Sequence, residues 1–230
     1  MNKNLSIALT GNPNTGKSTL FNLLTGLKQH TGNWAGKTVD LMAGTFNFKG
    51  ISYEMIDLPG TYSLFSNSKD EEVARNYIVF EKPDITLVVL DATALERNLN
   101  LALQVMEITE KVIVCINLID EAEKMGINIQ EKILMKRLGV PVIKISARNK
   151  IGISMLLDTI DRLIKGTIPC NPYKMTYDEE TENKIEQLIP FVQNITGDQL
   201  SARWLSLRLI DGDNALLKEI EQRLAEKDAI

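Results

Sequence analysis

The eight residues Gly11-Asn12-Pro13-Asn14-Thr15-Gly16-Lys17-Ser18 constrain this chain more than any other stretch. They spell G-x-x-x-x-G-K-[ST]. The apolar run Ile7-Ala8-Leu9-Thr10 precedes them, and Thr19-Leu20-Phe21-Asn22-Leu23-Leu24 follows at helical spacing. Strand, glycine loop and helix in that order make a phosphate-binding loop. Gly11 and Gly16 let the backbone turn so that successive N–H groups face phosphate oxygens, and the helix N-terminus adds partial positive charge. Lys17 is then expected to reach β- and γ-phosphates and Ser18 to ligate Mg²⁺, with Thr15 and Thr19 as further nucleotide contacts. A plain glycine turn beside a surface lysine would need neither the strand before it nor the helix after it.

The rest of the chain supplies a matching scaffold. Strand-like runs at 5–10, 52–57, 85–91, 111–117 and 141–145 alternate with helical patterns at 17–26, 69–81, 95–109, 127–138 and 152–165. That alternation predicts an α/β fold with a mostly parallel sheet. Lys49-Gly50 predicts a hairpin between 41–48 and 51–57, hence one antiparallel strand. The segment Lys165-Gly166-Thr167-Ile168-Pro169-Cys170-Asn171-Pro172 reads as a linker, giving expected domains at 1–168 and 169–230. Charge divides there too. Residues 171–230 hold 7 basic and 12 acidic groups, against 19 and 18 in the first 170. The tail carries apolar stripes at helical spacing behind Asp178, Asp198 and Asp213, and Trp204 is expected to be a packing residue.

Several classes are disfavoured. A net charge of −4 advertises no nucleic-acid partner. Cys115 and Cys170 lack C-x-x-C spacing, and a lone His30 cannot build a histidine cluster. No apolar run approaches 18 residues, and Met1-Asn2-Lys3-Asn4 has no signal-peptide pattern, so a reducing cytoplasm is the expected setting.

Three further motifs fall at predicted strand ends. Asp57-Leu58-Pro59-Gly60 is D-x-x-G, with Asp57 placed for a Mg²⁺ shell and the Gly60 amide for a γ-phosphate. Asn117-Leu118-Ile119-Asp120 fits N-x-x-D, with Leu118 at the usual lysine position. The Asp120 carboxylate can accept from guanine N1–H and the 2-amino group. Adenine offers neither donor, which makes for steep discrimination. Ser146-Ala147-Arg148 matches the S-A-[KR] loop that gives a backbone amide to guanine O6. Thr38 is the threonine suited to closing over Mg²⁺ and γ-phosphate. Segments 28–40 and 60–75 are the expected switches. Together these predict a Ras-like P-loop GTPase fold followed by a small all-α domain.

With Gly32-Asn33-Trp34-Ala35-Gly36, Asp57-Leu58-Pro59-Gly60-Thr61-Tyr62-Ser63-Leu64, Asn117-Leu118-Ile119-Asp120-Glu121-Ala122 and Arg203-Trp204-Leu205-Ser206-Leu207-Arg208-Leu209, the chain resembles the cytosolic G-protein module of the bacterial ferrous iron transport protein B (FeoB) family. Lys37, where the family usually has Val, departs from it. The resemblance implies binding and hydrolysis of GTP with Mg²⁺ in the regulatory domain of a ferrous iron transporter, with a helical domain that slows GDP release. It also implies a location at the cytoplasmic face of the bacterial inner membrane, a membrane permease region as partner, no nucleic acid, and an excised soluble piece of a longer chain. Homo-oligomerisation stays open. Potassium-activated GTPases, which the chain also resembles, hold K⁺ on the residue matching Asn14 and on carbonyls matching Gly32 and Trp34. Asn14, Thr38 and Gly60 then become the expected catalytic positions. Asp70-Glu71-Glu72 reads as a solvated helix start. The rival readings are a ribosome- or RNA-associated GTPase, a P-loop ATPase or kinase, and a switch that binds without hydrolysing.

Overall fold

The computed structural model describes residues 5–26, 29–33, 40–65, 68–197, 200–213 and 216–222. The chain forms two compact units, Met1–Tyr173 and Lys174–Ile230.

The first unit runs β1 (Leu5–Gly11), α1 (Lys17–Thr25), β2 (Gln29–Asn33), β3 (Asp40–Phe48), β4 (Ile51–Asp57), α2 (Lys69–Asn76), β5 (Ile85–Asp91), α3 (Leu95–Ile108), β6 (Val112–Asn117), α4 (Ile119–Lys124), α5 (Glu131–Leu138), β7 (Val142–Lys144) and α6 (Ile153–Ile164). Seven strands form one sheet in the order β2-β3-β4-β1-β5-β6-β7. β1 lies parallel between β4 and β5, and β3 runs antiparallel to both β2 and β4. The β3–β4 turn holds Lys49 at φ 48° and Gly50 at φ 79°. Two positive-φ residues make a turn whose twist matches the paired strands.

β1 is central because both of its faces are apolar. Ile7 and Leu9 pack with Leu20, Phe21, Leu156 and Ile160 on one side of the sheet. Ala8 packs with Val88, Leu90, Leu101 and Val105 on the other. β6 is buried along its whole length, as a parallel strand covered on both faces must be. Gly11 pairs with Val89, Leu9 with Asp57 and Asp91 with Asn117. The motif-bearing strands therefore end on one rim, where ligands of open α/β sheets bind.

The structure departs from the sequence reading in three places. Residues 29–33, expected within a switch loop, form the edge strand β2. Gln-His-Thr-Gly-Asn has weak strand propensity, and its pairing with β3 overrides that local preference. The helix expected over 69–81 is α-helical only to Asn76 and continues as a π-turn through Glu81. The helix expected over 127–138 starts at Glu131, and α4 precedes it because Leu118, at φ 63°, turns the chain sharply out of β6.

The second unit contains α7 (Glu179–Thr196), α8 (Ala202–Asp211) and a helical stretch over 216–222. Asp178 caps α7 by accepting from Thr181 N at 2.9 Å, and acids fill its first turn. Ser201 caps α8; the expected start at Asp198 lies outside the described residues. Asp213 accepts from Leu216 N at 3.1 Å. Arg203 joins the two helices through a two-pronged pair with Glu182, both contacts at 2.8 Å, and also donates to Met175 O at 2.7 Å. The guanidinium, helped by the Tyr177 amide, lowers the Glu182 pKa to about 2. Trp204 is buried on α8.

Candidate nucleotide site

The glycine loop leaves β1 at Gly11 and enters α1 through Gly16 at φ 78°. A side chain at either glycine would collide with the structure. A Cβ at Gly11 would lie 2.5 Å from Val89 O, and one at Gly16 would lie 2.3 Å from Asn117 Nδ2. Asn14 also has positive φ, 66°, a conformation asparagine tolerates better than most residues. Its side chain is exposed. Thr15 is buried, and its hydroxyl donates to Asn12 O at 3.0 Å, which braces the loop from inside. Thr19 is exposed on the first turn of α1.

Lys17 and Ser18 face Asp57. Lys17 Nζ forms an ion pair with Asp57 Oδ1, and Ser18 Oγ approaches Asp57 Oδ2 at 3.4 Å. The chain beyond Asp57 then crosses the glycine loop. Leu58 N donates to Leu9 O at 2.9 Å and Thr61 N to Gly11 O at 3.2 Å. Gly60 passes so close to Pro13 that a Cβ there would touch its ring at 3.4 to 3.6 Å. Leu64 N donates to Gln104 Oε1 at 2.7 Å, and the Arg97 guanidinium stacks 4.5 Å above the Tyr62 ring. Two contacts thus tie this segment to α3.

Asn117 connects the loops. Its amide donates to Thr15 O at 2.8 Å, and its carbonyl accepts from Ala147 N at 2.9 Å. One buried side chain therefore sets the spacing of the glycine loop and the 146–149 loop. Asp120 begins α4 beside them. Its Oδ2 accepts from Asn149 Nδ2 at 2.9 Å, while its Oδ1 is buried with no partner in the structure. Chiefly the Ser146 hydroxyl, with the Lys124 charge and the Asn149 amide, holds this carboxyl below its ordinary range. It is charged at neutral pH. Arg148 is exposed.

The fold thus gathers Gly11, Asn14, Thr15, Gly16, Lys17, Ser18, Thr19, Asp57, Gly60, Asn117, Asp120, Ser146, Ala147 and Arg148 along one rim. Gly32 lies in β2 opposite Leu41. Trp34, Lys37 and Thr38 lie outside the described residues. Asp70, Glu71 and Glu72 occupy the first turn of α2, with Ser68 as N-cap. Asn149 was missed in the sequence, although its place directly after Ser146-Ala147-Arg148 could have flagged it.

The donor sets can be tested against the implied groups. Asp57 and Ser18 offer a carboxylate and a hydroxyl at one point, the hard oxygens that Mg²⁺ prefers. The orphaned Oδ1 of Asp120 fits a base bearing two N–H donors. For K⁺, Asn14 offers an exposed side-chain carbonyl in the loop.

Comparison with known proteins agrees with this geometry. Residues 5–160 match the family model described as ferrous iron transport protein B, and 177–230 match that of the FeoB cytosolic helical domain. The Fe(2+) transporter FeoB of Escherichia coli K12 is 40% identical over 222 residues, covering 92% of this chain but only 27% of the relative. The chain thus spans about a quarter of the length of that relative. The cytosolic domain of the T. maritima FeoB iron transporter in a GDP form matches with TM-score 0.85 at 36% identity, over 94% of this chain and 84% of that one. Its GMPPNP form matches with TM-score 0.78 at 36% identity, over the same shares. A glycine loop, D-x-x-G and N-x-x-D brought to one rim, a helical second unit, and relatives that agree over both units place this chain in the ferrous iron transport protein B family, matching its N-terminal G domain and cytosolic helical domain.

Proposed function

We propose that this chain binds guanine nucleotides and hydrolyses GTP, serving as the cytosolic nucleotide-operated part of a ferrous iron transporter. One observation carries the guanine reading. Asp120 has one carboxylate oxygen buried without a partner, and its other oxygen accepts from Asn149 of the 146–149 loop, which Asn117 fixes against the phosphate cradle. Leaving a buried acceptor unpaired is costly, and guanine supplies the missing donors. The GDP and GMPPNP forms of the T. maritima relative support the same ligand class.

The chain's own groups divide the work. Lys17 exchanges its ion pair with Asp57 for the β- and γ-phosphates, and the amides from Asn14 to Ser18 cradle them. Ser18, Asp57 and Thr38 would hold Mg²⁺, which supplies charge neutralisation at the phosphates when bound. The Gly60 amide faces the γ-phosphate. Thr61 stands where Ras-type enzymes carry a water-orienting Gln, and its hydroxyl is buried. Asn14, with carbonyls of Gly32 and Trp34, would hold K⁺, which would supply a further positive charge at the phosphates when bound. Backbone groups near Thr38 and Gly60 then orient the attacking water.

No described helix is long and apolar enough to cross a membrane. We assign the membrane permease to the part of the transporter that this chain does not span, and place the chain at the cytoplasmic face of the inner membrane. Domains at 1–168 and 169–230, with the helical one slowing GDP release, complete the proposal.

The test is Asp120→Asn. It replaces an acceptor-only group with an amide. GDP binding measured by calorimetry should weaken at least tenfold, about 1.4 kcal/mol. Xanthosine diphosphate, whose 2-oxo group accepts, should gain. Unchanged GDP affinity would remove Asp120 as the base reader and reopen the adenine-directed reading.

A further inference from the structure

The loop that reads the base contains a residue outside the motif. Asn149 donates from Nδ2 to Asp120 Oδ2 at 2.9 Å and from its backbone N to Ser146 Oγ at 3.3 Å. It therefore bonds both the carboxylate and the Ser146 hydroxyl. Terminal torsions of Asp are broad and roughly two-fold, so an unrestrained carboxylate samples many planes. A carboxylate oxygen has two lone pairs, so Oδ2 can accept from Asn149 and from a ligand at once. Oδ1 remains buried and open.

We propose that Asn149 is the positioning residue that locks the Asp120 carboxylate in the plane needed for two-point recognition of guanine; this rests on the guanine reading above. The geometry gives it a specific consequence. Guanine presents N1–H and the 2-amino group along one edge, and both bonds form only if the carboxylate lies close to the base plane. Hypoxanthine presents N1–H alone, and a carboxylate free to rotate satisfies that single donor nearly as well. Asn149 therefore contributes to discrimination between the two bases more than to affinity for either. A side chain that merely stiffened the loop would act equally on both.

The experiment titrates the whole chain with GDP and with inosine diphosphate by calorimetry, comparing the unmodified protein, Asn149→Ala and Asn149→Asp. Asn149 is exposed, so neither variant disturbs packing. In Asn149→Ala the GDP-over-inosine preference should fall roughly fivefold, the net value of one ordinary hydrogen bond. Asn149→Asp sets a second carboxylate against the first. Both are ionised at neutral pH and repel. Its GDP affinity should therefore fall below that of Asn149→Ala. Equal weakening of both nucleotides in Asn149→Ala, or a GDP affinity in Asn149→Asp no lower than in Asn149→Ala, would overturn the proposal alone. An unmodified chain that bound no GDP would overturn it together with the guanine reading.

Discussion

Replacing Asn117 by Ala should do more damage than the size of the side chain implies. The change strands two partners, the Thr15 carbonyl 2.8 Å from Nδ2 and the Ala147 amide 2.9 Å from Oδ1. Thr15 and Ala147 are 1% and 3% exposed, so solvent cannot replace the lost contacts without opening the loops. Each stranded group costs about 1–3 kcal/mol. The sum for the two groups is about 2–6 kcal/mol. In a domain of this size each kcal/mol moves the melting temperature by about 2–4 °C, so a fall of about 5–15 °C is expected. Thermal unfolding followed by circular dichroism, together with urea titration, measures it. Leu118→Ala is the control, because it truncates a half-exposed side chain without stranding a polar group. Asn117→Asp keeps the acceptor for Ala147 but turns an acceptor toward Thr15 O, and should be at least as harmful as Ala. A fall of less than about 2 °C in Asn117→Ala would refute the view that this residue carries the joint between the loops.

Two other expectations concern salt and acid. K⁺ should accelerate GTP hydrolysis over Na⁺ by more than tenfold, about 1.4 kcal/mol of barrier, and Asn14→Ala should erase the difference; equal turnover in both salts for the unmodified chain would end the potassium assignment. Glu182, pulled to about 2 by Arg203, contributes stability that is complete above its ordinary 4.5 and is lost as pH falls through its folded value. Arg203→Met should therefore be less stable at neutral pH and should flatten the acid limb of the stability curve between about pH 4.5 and 2; parallel curves for the two proteins would show that the pair contributes nothing.

The sheet was legible because its strands are apolar and evenly spaced. The runs around Ile7, Leu87 and Val114 carry burial on both faces, and the glycine loop announced its own context. What escaped the reading depended on distant partners. β2 is a strand only because β3 offers it a backbone edge, and no residue in Gln29–Asn33 says so. α4 begins at a left-handed Leu118, a conformation that nothing in a leucine predicts. At the site, motif order named residues that the fold then brings to one rim. It did not name their division of labour. Asn117 sits in the base motif, yet its side chain spends both hydrogen-bonding groups on the scaffold, and Asn149 holds the carboxylate from beyond the motif's end.

The central place of β1 also sets a schedule. This strand is made before every other strand of its sheet, yet its neighbours are β4 and β5, so residues 5–11 stay unpaired on one side until Ile85–Asp91 has been made. Ser6 and Asp84, which clasp through a backbone and a hydroxyl bond, meet across 78 positions. The joint made by Asn117 needs Ala147 as well. At about 5–20 residues per second, some 7–30 s separate synthesis of the glycine loop from that of its last structural support. Until β5 has followed, Ile7, Ala8 and Leu9 form an apolar strand paired on at most one edge. The segment that ends as the rigid centre of the molecule is thus, during its birth, the part most in need of shelter.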